Sequence, residues 1–417
     1  MKSKRVLVVG GGGRCHAIVD ALSRSPQVEK IYCAPGNAGI AQQAECVKIG
    51  VEDVEALVEF ATKNAIDLTV VGPEASLAVG IVDRFTEKGL RIFGPTRAAA
   101  QIESSKEFAK RLMAKYHIPT AAYEAFDDFE SAWAYVKARP LPAVIKYDGL
   151  AAGKGVVVAE SYEDAENALR DMLLDESFGK GRVVVEDFLA GPEFSFMCVV
   201  SGERVYPLAM AQDHKRAYEG DKGPNTGGMG AYSPVPFVTP EVEEFALERI
   251  MRPTAKAMVA EGVPFVGVLY GGLILTAEGP KVIEFNARFG DPETEVVLPR
   301  LMSDIYELFD AAIDGRECAT EWSEEALLGV VLASEGYPAG YKKGVRLEGL
   351  DSAEGTIYHM GTAEKEGAVV TSGGRVLMVV GRGKTLGEAR EKALADIAKI
   401  SCEGLFYRSD IGHKVLD

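Results

Sequence analysis

The sequence predicts a multidomain chain of α/β and α+β architecture: an N-terminal parallel α/β domain, a large middle module and a small C-terminal α+β domain. Three observations predict it. Apolar runs and helical stretches alternate through the first hundred residues, which implies a parallel sheet with helices on both faces. The central region mixes strands and helices with a Gly/Pro/Asn-rich stretch. From about Leu327 the pattern shortens to brief strands and turns closed by one helix. The boundaries read as 1–104, 105–325 and 326–417, with a compact α+β subdomain at about 123–190. A chain of 417 residues is long enough for several such units.

Arg5 to Val9 is apolar and rich in valine, and reads as a buried strand. A helix over Ala17 to Ser23 and a strand over Lys30 to Ala34 follow. Asp53 to Lys63 reads as helix, Leu68 to Val71 as strand, Leu77 to Lys88 as helix and Arg91 to Phe93 as strand. Ligands of such sheets sit beyond the carboxyl ends of the strands. The turn clusters lie there: Gly10 to Gly13, Pro35-Gly36-Asn37, Gly72-Pro73-Glu74 and Gly94-Pro95-Thr96. A helix over Ser105 to Tyr116 leads into the middle module. Tyr123 to Phe188 reads as strand, helix, strand, strand, helix, strand. Asp213 to Pro236 reads as a long loop, and such loops are functional or disordered. Helix Glu241 to Glu261, strands Gly267 to Thr276 and Lys281 to Asn286, and helix Asp304 to Asp314 complete the module. A helix over Leu386 to Ile400 closes the C-terminal domain.

The net charge of −16 argues against a nucleic-acid partner or an anionic membrane surface. It is compatible with phosphate ligands, because glycine turns, helix N-termini and metal ions make local anion sites. The six cysteines (Cys15, Cys33, Cys46, Cys198, Cys318, Cys402) contain no CxxC pair, which predicts reduced thiols. The apolar run after MKSKR is too short for a signal segment. No apolar run approaches about 18 residues, so no membrane span is expected, and the expected compartment is the cytoplasm.

VLVVGGGG, Val6 to Gly13, runs from a strand through a glycine turn into a helix. Gly11, Gly12 and Gly13 are thus placed to offer N–H groups to an anion, with Arg14 beside them. The second strand ends Cys33-Ala34-Pro35-Gly36-Asn37, without the acid that holds a dinucleotide ribose. A small phosphorylated ligand is therefore expected in preference to NAD. His16 reads as a partly buried helix residue. AVIKYDGLAAGKGVVVA, Ala143 to Ala159, carries Lys146 at a strand end and a turn from Gly149 through Gly153 and Lys154 to Gly155. Such a turn can close over a triphosphate with a lysine on each side, and it is not a Walker A loop. The competing reading is an ordinary hairpin with solvated lysines. In VVVEDFLAGPEFS, Glu186 ends a strand. The backbone through Asp187, Phe188 and Leu189 can meet an adenine edge, and Glu193 can accept ribose hydroxyls. Asp187 reads equally well as a surface charge.

In KVIEFNARFGDPETE, Lys281 to Glu295, strand alternation puts Glu284 and Asn286 on one face. A carboxylate and an amide oxygen suit Mg²⁺, with substrate phosphates filling the shell. Arg288, Asp291, Glu293 and Glu295 crowd the turn that follows. A solvated acidic turn is the competing reading, and it is retained for Glu295 alone.

Together these segments resemble the glycinamide ribonucleotide synthetase family, the phosphoribosylamine–glycine ligases of the ATP-grasp superfamily. The resemblance runs through GGGGRCHA, APGNAG, VGPEASLAVGIVD, FGPTRAAAQIESSKEFAKRLMAKYHIPTA, IKYDGLAAGKGV, DHKRAYEGDKGPNTGGMGAYSP, EFNARFGDPETE and FYRSDIG. It implies an ATP-grasp middle module whose subdomain at 123–190 is a mobile lid. It implies ATP as a substrate, held by Lys106, Lys146 and the loop Gly149 to Gly155, with Glu186 to Leu189 as adenine hinge and Glu193 on ribose. Glu284 and Asn286 would hold Mg²⁺ or Mn²⁺, and Arg288 would stabilise an acyl phosphate. The implied reaction joins glycine to 5-phosphoribosylamine through glycyl phosphate, in purine biosynthesis. Asp213, His214, Lys215, Asn225, Thr226, Gly227 and Gly228 would shape the substrate pocket. Gly11, Gly12, Gly13, Arg14, Gly36, Asn37, Pro73, Glu74, Asp291, Pro292 and Glu293 would complete it. Lys215 reads equally as a solvated loop charge and His214 as a structural donor. A monomer or homodimer is expected.

Three departures qualify the likeness. Cys15 stands where the family pattern has Glu, and a neutral thiol cannot replace a carboxylate as acceptor. Tyr147 stands where a small residue is common. A second metal-binding acid is expected on the strand near Gly271 to Leu275, and none occurs there. Two alternatives are a related purine-pathway ATP-grasp ligase and a non-catalytic nucleotide-binding relative.

Overall fold

The computed structural model describes residues 3–151 and 155–416, so Gly153 and Lys154 of the expected closing loop lie outside the described residues. Val6, Leu7, Val8 and Val9 are fully buried because strand Lys4–Gly10 is central in its sheet. Alternation sends Leu7 and Val9 into one core and Val6 and Val8 into another. The five-stranded parallel sheet runs Glu45–Cys46, Val28–Pro35, Lys4–Gly10, Leu68–Val71, Ile92–Phe93. The strand order reverses between Lys4–Gly10 and Leu68–Val71, which places a crevice beyond their carboxyl ends. The helix expected over Leu77 to Lys88 is two, Glu74–Ala78 and Ile81–Glu87. Gly80, at φ +82°, makes the break, in a conformation that costs glycine little and other residues much.

Strands Tyr123–Phe126, Val183–Asp187, Ala143–Tyr147 and Val156–Ala159 form an antiparallel sheet in that order. Helices Phe129–Lys137 and Tyr162–Leu173 pack on it. Asp128 caps the first, and Ser161 caps the second in a reciprocal box with Asp164. Phe129, Val136, Ile145, Leu169, Met172 and Val185 fill a core separate from the two larger ones. Each such side chain contributes about 1.5–3 kcal/mol of burial within the unit, so the unit has a core of its own.

Arg204–Pro207, Glu193–Ser201, Val266–Thr276 and Gly279–Asn286 form a second antiparallel sheet. Helix 240–260 contains one π turn, Leu247–Met251, just before Pro253. Pro253 has no N–H to give, and its ring crowds the carbonyl four residues back.

Residues 213–236 are not the irregular loop the composition suggests. Gln212–Asp213 and Gly230–Ser233 are paired strands, and Arg216–Tyr218 with Lys222–Asn225 forms a hairpin between them. Strands this short show no periodicity, and the glycines and prolines that end them read as loop. Gly230–Ser233 also pairs with Ala326–Ser334, and that sheet continues through Arg375–Gly383 to Thr356–His359. The middle and C-terminal regions therefore share one sheet. Among the described residues no helix is long and apolar enough to cross a membrane.

Candidate active site

A cleft of about 510 Å³ opens between strands Ala143–Tyr147 and Val156–Ala159 on one side and Gly279–Asn286 on the other, a size usual for small-molecule sites. Lys146 enters it from the end of its strand. Its Nζ donates to the Ile283 carbonyl at 2.8 Å and pairs with Glu186 Oε1 at 2.8 Å. The other oxygen of Glu186 pairs with Lys110 Nζ at 2.7 Å. An ammonium has three N–H donors, so Lys146 keeps one for a ligand. Glu186 is thus a buried anchor shared by two lysines, and only the backbone after it is available as a hinge. Lys110 also donates to Thr120 Oγ1 at 2.8 Å, and burial lowers its pKa to about 8.

Lys106 opens helix Lys106–Lys115, which Ser105 caps. Asp148 accepts from the Glu107 N–H at 3.1 Å, so the loop after Lys146 is tied to this helix N-terminus. Gly149, Leu150, Ala151 and Gly155 line the cleft, as do Phe188, Leu189 and Glu193. Asp187 also borders it, and its carboxylate pairs with Arg139 at 2.8 Å. Tyr147 braces the loop region, with its hydroxyl donating to the Gly179 carbonyl at 3.3 Å.

Glu284 and Asn286 both face the cleft, as strand alternation requires. Burial raises the Glu284 pKa, but Lys106, Lys146, Lys215 and Arg288 outweigh it and hold the carboxylate ionised. Gly272 stands opposite Glu284 on the neighbouring strand, so no acid meets it there. No cluster of three acidic, His or Cys ligands occurs among the described residues. The donor set fits a hard cation that takes one carboxylate, one amide oxygen and the rest from phosphates.

The other end of the cleft is an alternating chain of charges, half-buried to buried, drawn from distant segments. Arg375 pairs with Asp291 at 2.9 Å, and Asp291 with Arg14 at 3.6 Å. Arg14 pairs with Glu74 at 3.4 Å, Glu74 with Arg288 at 3.4 Å, and Arg288 with Glu103 at 3.0 Å. Burial raises the Asp291 pKa, but Arg375 and Arg14 bring it below its ordinary value. Against the same burial cost, Arg14 and Arg288 hold Glu74 at about 2. Ser195 Oγ and Tyr270 OH each donate to Glu293 Oε1 at 2.8 Å. Asp213 and Lys215 pair at 3.0 Å beside them. Asn225, Thr226 and Gly227 complete this rim, where the Gly227 N–H donates to Tyr337 OH at 3.0 Å.

Several expected ligand residues sit elsewhere. The N-terminus of helix Gly13–Ser23, read as an anion site, already holds a protein carboxylate: the Arg14 N–H donates to Asp291 Oδ2 at 3.2 Å. Gly11, Gly12, Gly13, Gly36, Pro73, Gly228 and Pro292 do not line the cleft. The Asn37 amide is used internally: it donates to the Gly11 and His359 carbonyls and accepts from Gly39 and Ile40. His214 is fully buried, points away from the cleft and accepts the Gly412 N–H at 3.2 Å, so it is not the donor expected. Glu295 is not solvated: it is fully buried and a side chain at Gly13 would collide with it. Cys15 is buried as well, and burial lifts its thiol pKa to about 12. Lys110, Glu103, Tyr270, Tyr337 and Arg375 were not foreseen. Lys110 carried a usable signal, since it lies one helical turn after Lys106.

Comparisons with known proteins identify the family and the fold. Family models of phosphoribosylglycinamide synthetase match residues 4–103 (N domain), 104–294 (ATP-grasp domain) and 327–414 (C domain). The chain is 53% identical over 415 residues to the phosphoribosylamine–glycine ligase of Halalkalibacterium halodurans, covering 99% of this chain and 97% of that one. It is 50% identical over 421 residues to that of Vibrio vulnificus, covering 99% and 98%. The crystal structure of the Thermotoga maritima phosphoribosylamine–glycine ligase superposes with a TM-score of 0.87 at 36% identity, covering 98% and 100%. A Campylobacter jejuni biotin carboxylase solved with β,γ-ATP shares the fold at TM-score 0.73 and 14% identity, covering 97% and 93%.

Proposed function

The chain belongs to the phosphoribosylglycinamide synthetase family, and from that premise we propose how its cleft works. It is a phosphoribosylamine–glycine ligase of purine biosynthesis that consumes ATP. The glycine carboxylate attacks the γ-phosphorus, ADP leaves, and the amine of 5-phosphoribosylamine then displaces phosphate from glycyl phosphate. The first step is mostly positioning and charge neutralisation.

The observation that carries this reading is the placement of Lys146 and Lys106 around Glu284, with Asn286 and Arg288 following on the same segment. The free donor of Lys146 and the Lys106 ammonium face the phosphates. The backbone from Glu186 to Leu189 meets adenine, and Glu193 accepts ribose hydroxyls. Glu284 and Asn286 would hold Mg²⁺ or Mn²⁺, which neutralises phosphate charge. Arg288, held in place by Glu103 and Glu74, keeps its charge at the acyl phosphate. Asp213, Lys215, Asn225, Thr226, Gly227 and Glu293 border the glycine and phosphoribosylamine side. Six free cysteines fit a reducing compartment, and we place the chain in the cytoplasm. Purified protein is expected to release ADP and phosphate only when glycine and 5-phosphoribosylamine are both present; ATP turnover indifferent to glycine would refute the assignment.

A further inference from the structure

Arg408 is an arginine with 0% exposure, well outside the cleft. Its Nε and Nη2 donate to the two oxygens of Asp410 at 2.8 Å each, and its Nη1 pairs with Asp221 at 2.9 Å. The same Nη1 donates to the Arg216 carbonyl at 3.0 Å. Arg216 is the residue after Lys215 and the cross-strand partner of Asn225. One guanidinium therefore holds hairpin 216–225 at two places: the first strand where it leaves the substrate rim, through Arg216, and the turn, through Asp221. Ser409 reinforces it by donating from N and Oγ to Glu219, and Asp410 accepts the Gly220 N–H at 2.8 Å. Thr226 in turn donates from N and Oγ1 to the Lys215 carbonyl, at 2.7 and 2.8 Å. The contacts run without a gap from Arg408 to Lys215, Asn225 and Thr226. Among the described residues no hydrogen bond or ion pair of this path reaches Lys146, Glu186 or Glu284; only the Lys215 charge is felt at Glu284, and Lys215 keeps that charge in the variants below.

We propose that Arg408 is a positioning residue for the glycine and phosphoribosylamine side of the cleft, acting through the hairpin and leaving the ATP side untouched. This rests on the ligase reading above. The planar, five-donor fork makes four contacts here, to two carboxylates and a carbonyl, which is one more than the three donors of an ammonium can make. Lysine at this position would keep the charge and lose the fork, and methionine would lose both.

The test is steady-state kinetics of Arg408→Lys and Arg408→Met with glycine and with ATP as the varied substrate. We expect kcat/KM for glycine to fall about 10- to 100-fold, more for Met than for Lys, and KM for ATP to stay within about twofold. Parameters for both substrates falling together, or neither moving, would overturn the proposal. Should the Met variant not fold, Asp221→Asn keeps the Arg408–Asp410 fork and weakens the hairpin turn's pairs with Arg408, His413 and Lys414. It is expected to lower the same glycine parameter by a smaller factor, and an unchanged value would also overturn the role. Wild-type protein without glycine-dependent turnover would instead overturn the reading of the site itself.

Discussion

The ATP end and the substrate end of the cleft both hold buried charge, but they assemble it differently. At the ATP end one carboxylate, Glu186, sits between Lys146 and Lys110. All three come from one antiparallel sheet and the helix beside it. At the substrate end the order is Arg375, Asp291, Arg14, Glu74, Arg288, Glu103, drawn from every major part of the chain. The ATP end can therefore lose a charge without unpinning the domains. The substrate end cannot, because its charges are also its interdomain contacts.

Asp291→Ala is the strongest way to break that contrast. It leaves Arg14 and Arg375 facing each other without their shared carboxylate. Removing one partner of a buried pair costs about 3–5 kcal/mol. Stability in a denaturant titration and turnover are both expected to fall. Loss of turnover at unchanged stability would show that this chain of charges does not hold the domains.

Glu284→Ala is the converse. Its carboxylate is the proposed metal ligand, and among the described residues it makes no ion pair. Turnover with Mg²⁺ is expected to fall by about 10²–10³-fold, the size seen when one group that stabilises developing charge is removed. Thermal unfolding should be unchanged. Full activity of this variant with Mg²⁺ would refute the metal assignment.

Lys110 gives a smaller, graded effect. Burial holds its pKa at about 8. As pH rises through that value the ammonium loses its proton, and Glu186 is left with Lys146 as its sole cation. Positive potential at the ATP end falls, so KM for ATP is expected to rise between about pH 7 and pH 9. Lys110→Met should show a KM raised about tenfold at pH 7 and little slope above it. A slope that survives in Lys110→Met would assign the titration to another group.

The same contrast explains what could be read from the sequence. The ATP end is written in short segments. In IKYDGLAAGKG, Lys146 is marked by its place at a strand end before a glycine-rich turn, and in EFNARFGDPETE, Glu284 and Asn286 emerge from strand alternation. At the substrate end Arg375 and Tyr337 reach the cleft from a region with no local chemical pattern, and only the shared sheet brings them near. Asn37 and His214 had the composition of ligand residues, but the Asn37 amide is engaged by Gly11, His359, Gly39 and Ile40, and His214 Nε2 by the Gly412 N–H 198 residues away. The glycine turn before Arg14 had the form of an anion site, and the anion that fills it is Asp291, 277 residues away.

The smallest expected effect lies at Glu295, an acid at the substrate end that makes no ion pair with the arginines among the described residues. The residue is fully buried, and neither carboxylate oxygen has a hydrogen-bond donor among the described residues. Arg14 and Arg375 are already engaged by Asp291. Burial and the nearby Asp291 charge push the Glu295 carboxyl well above its ordinary range. The folded chain thus keeps this proton to higher pH than the unfolded chain. A raised carboxyl pKa gives its full stability below the unfolded value of about 4.3 and loses it as pH rises toward the folded value. Glu295→Gln keeps the shape and never ionises. Its melting temperature is expected to match the wild type at about pH 4 and to exceed it by a few degrees at about pH 8. Parallel melting curves with a constant offset across that range would mean that Glu295 titrates alike in both states. The buried acid would then have found a partner, and the substrate end would be as fully paired as the ATP end.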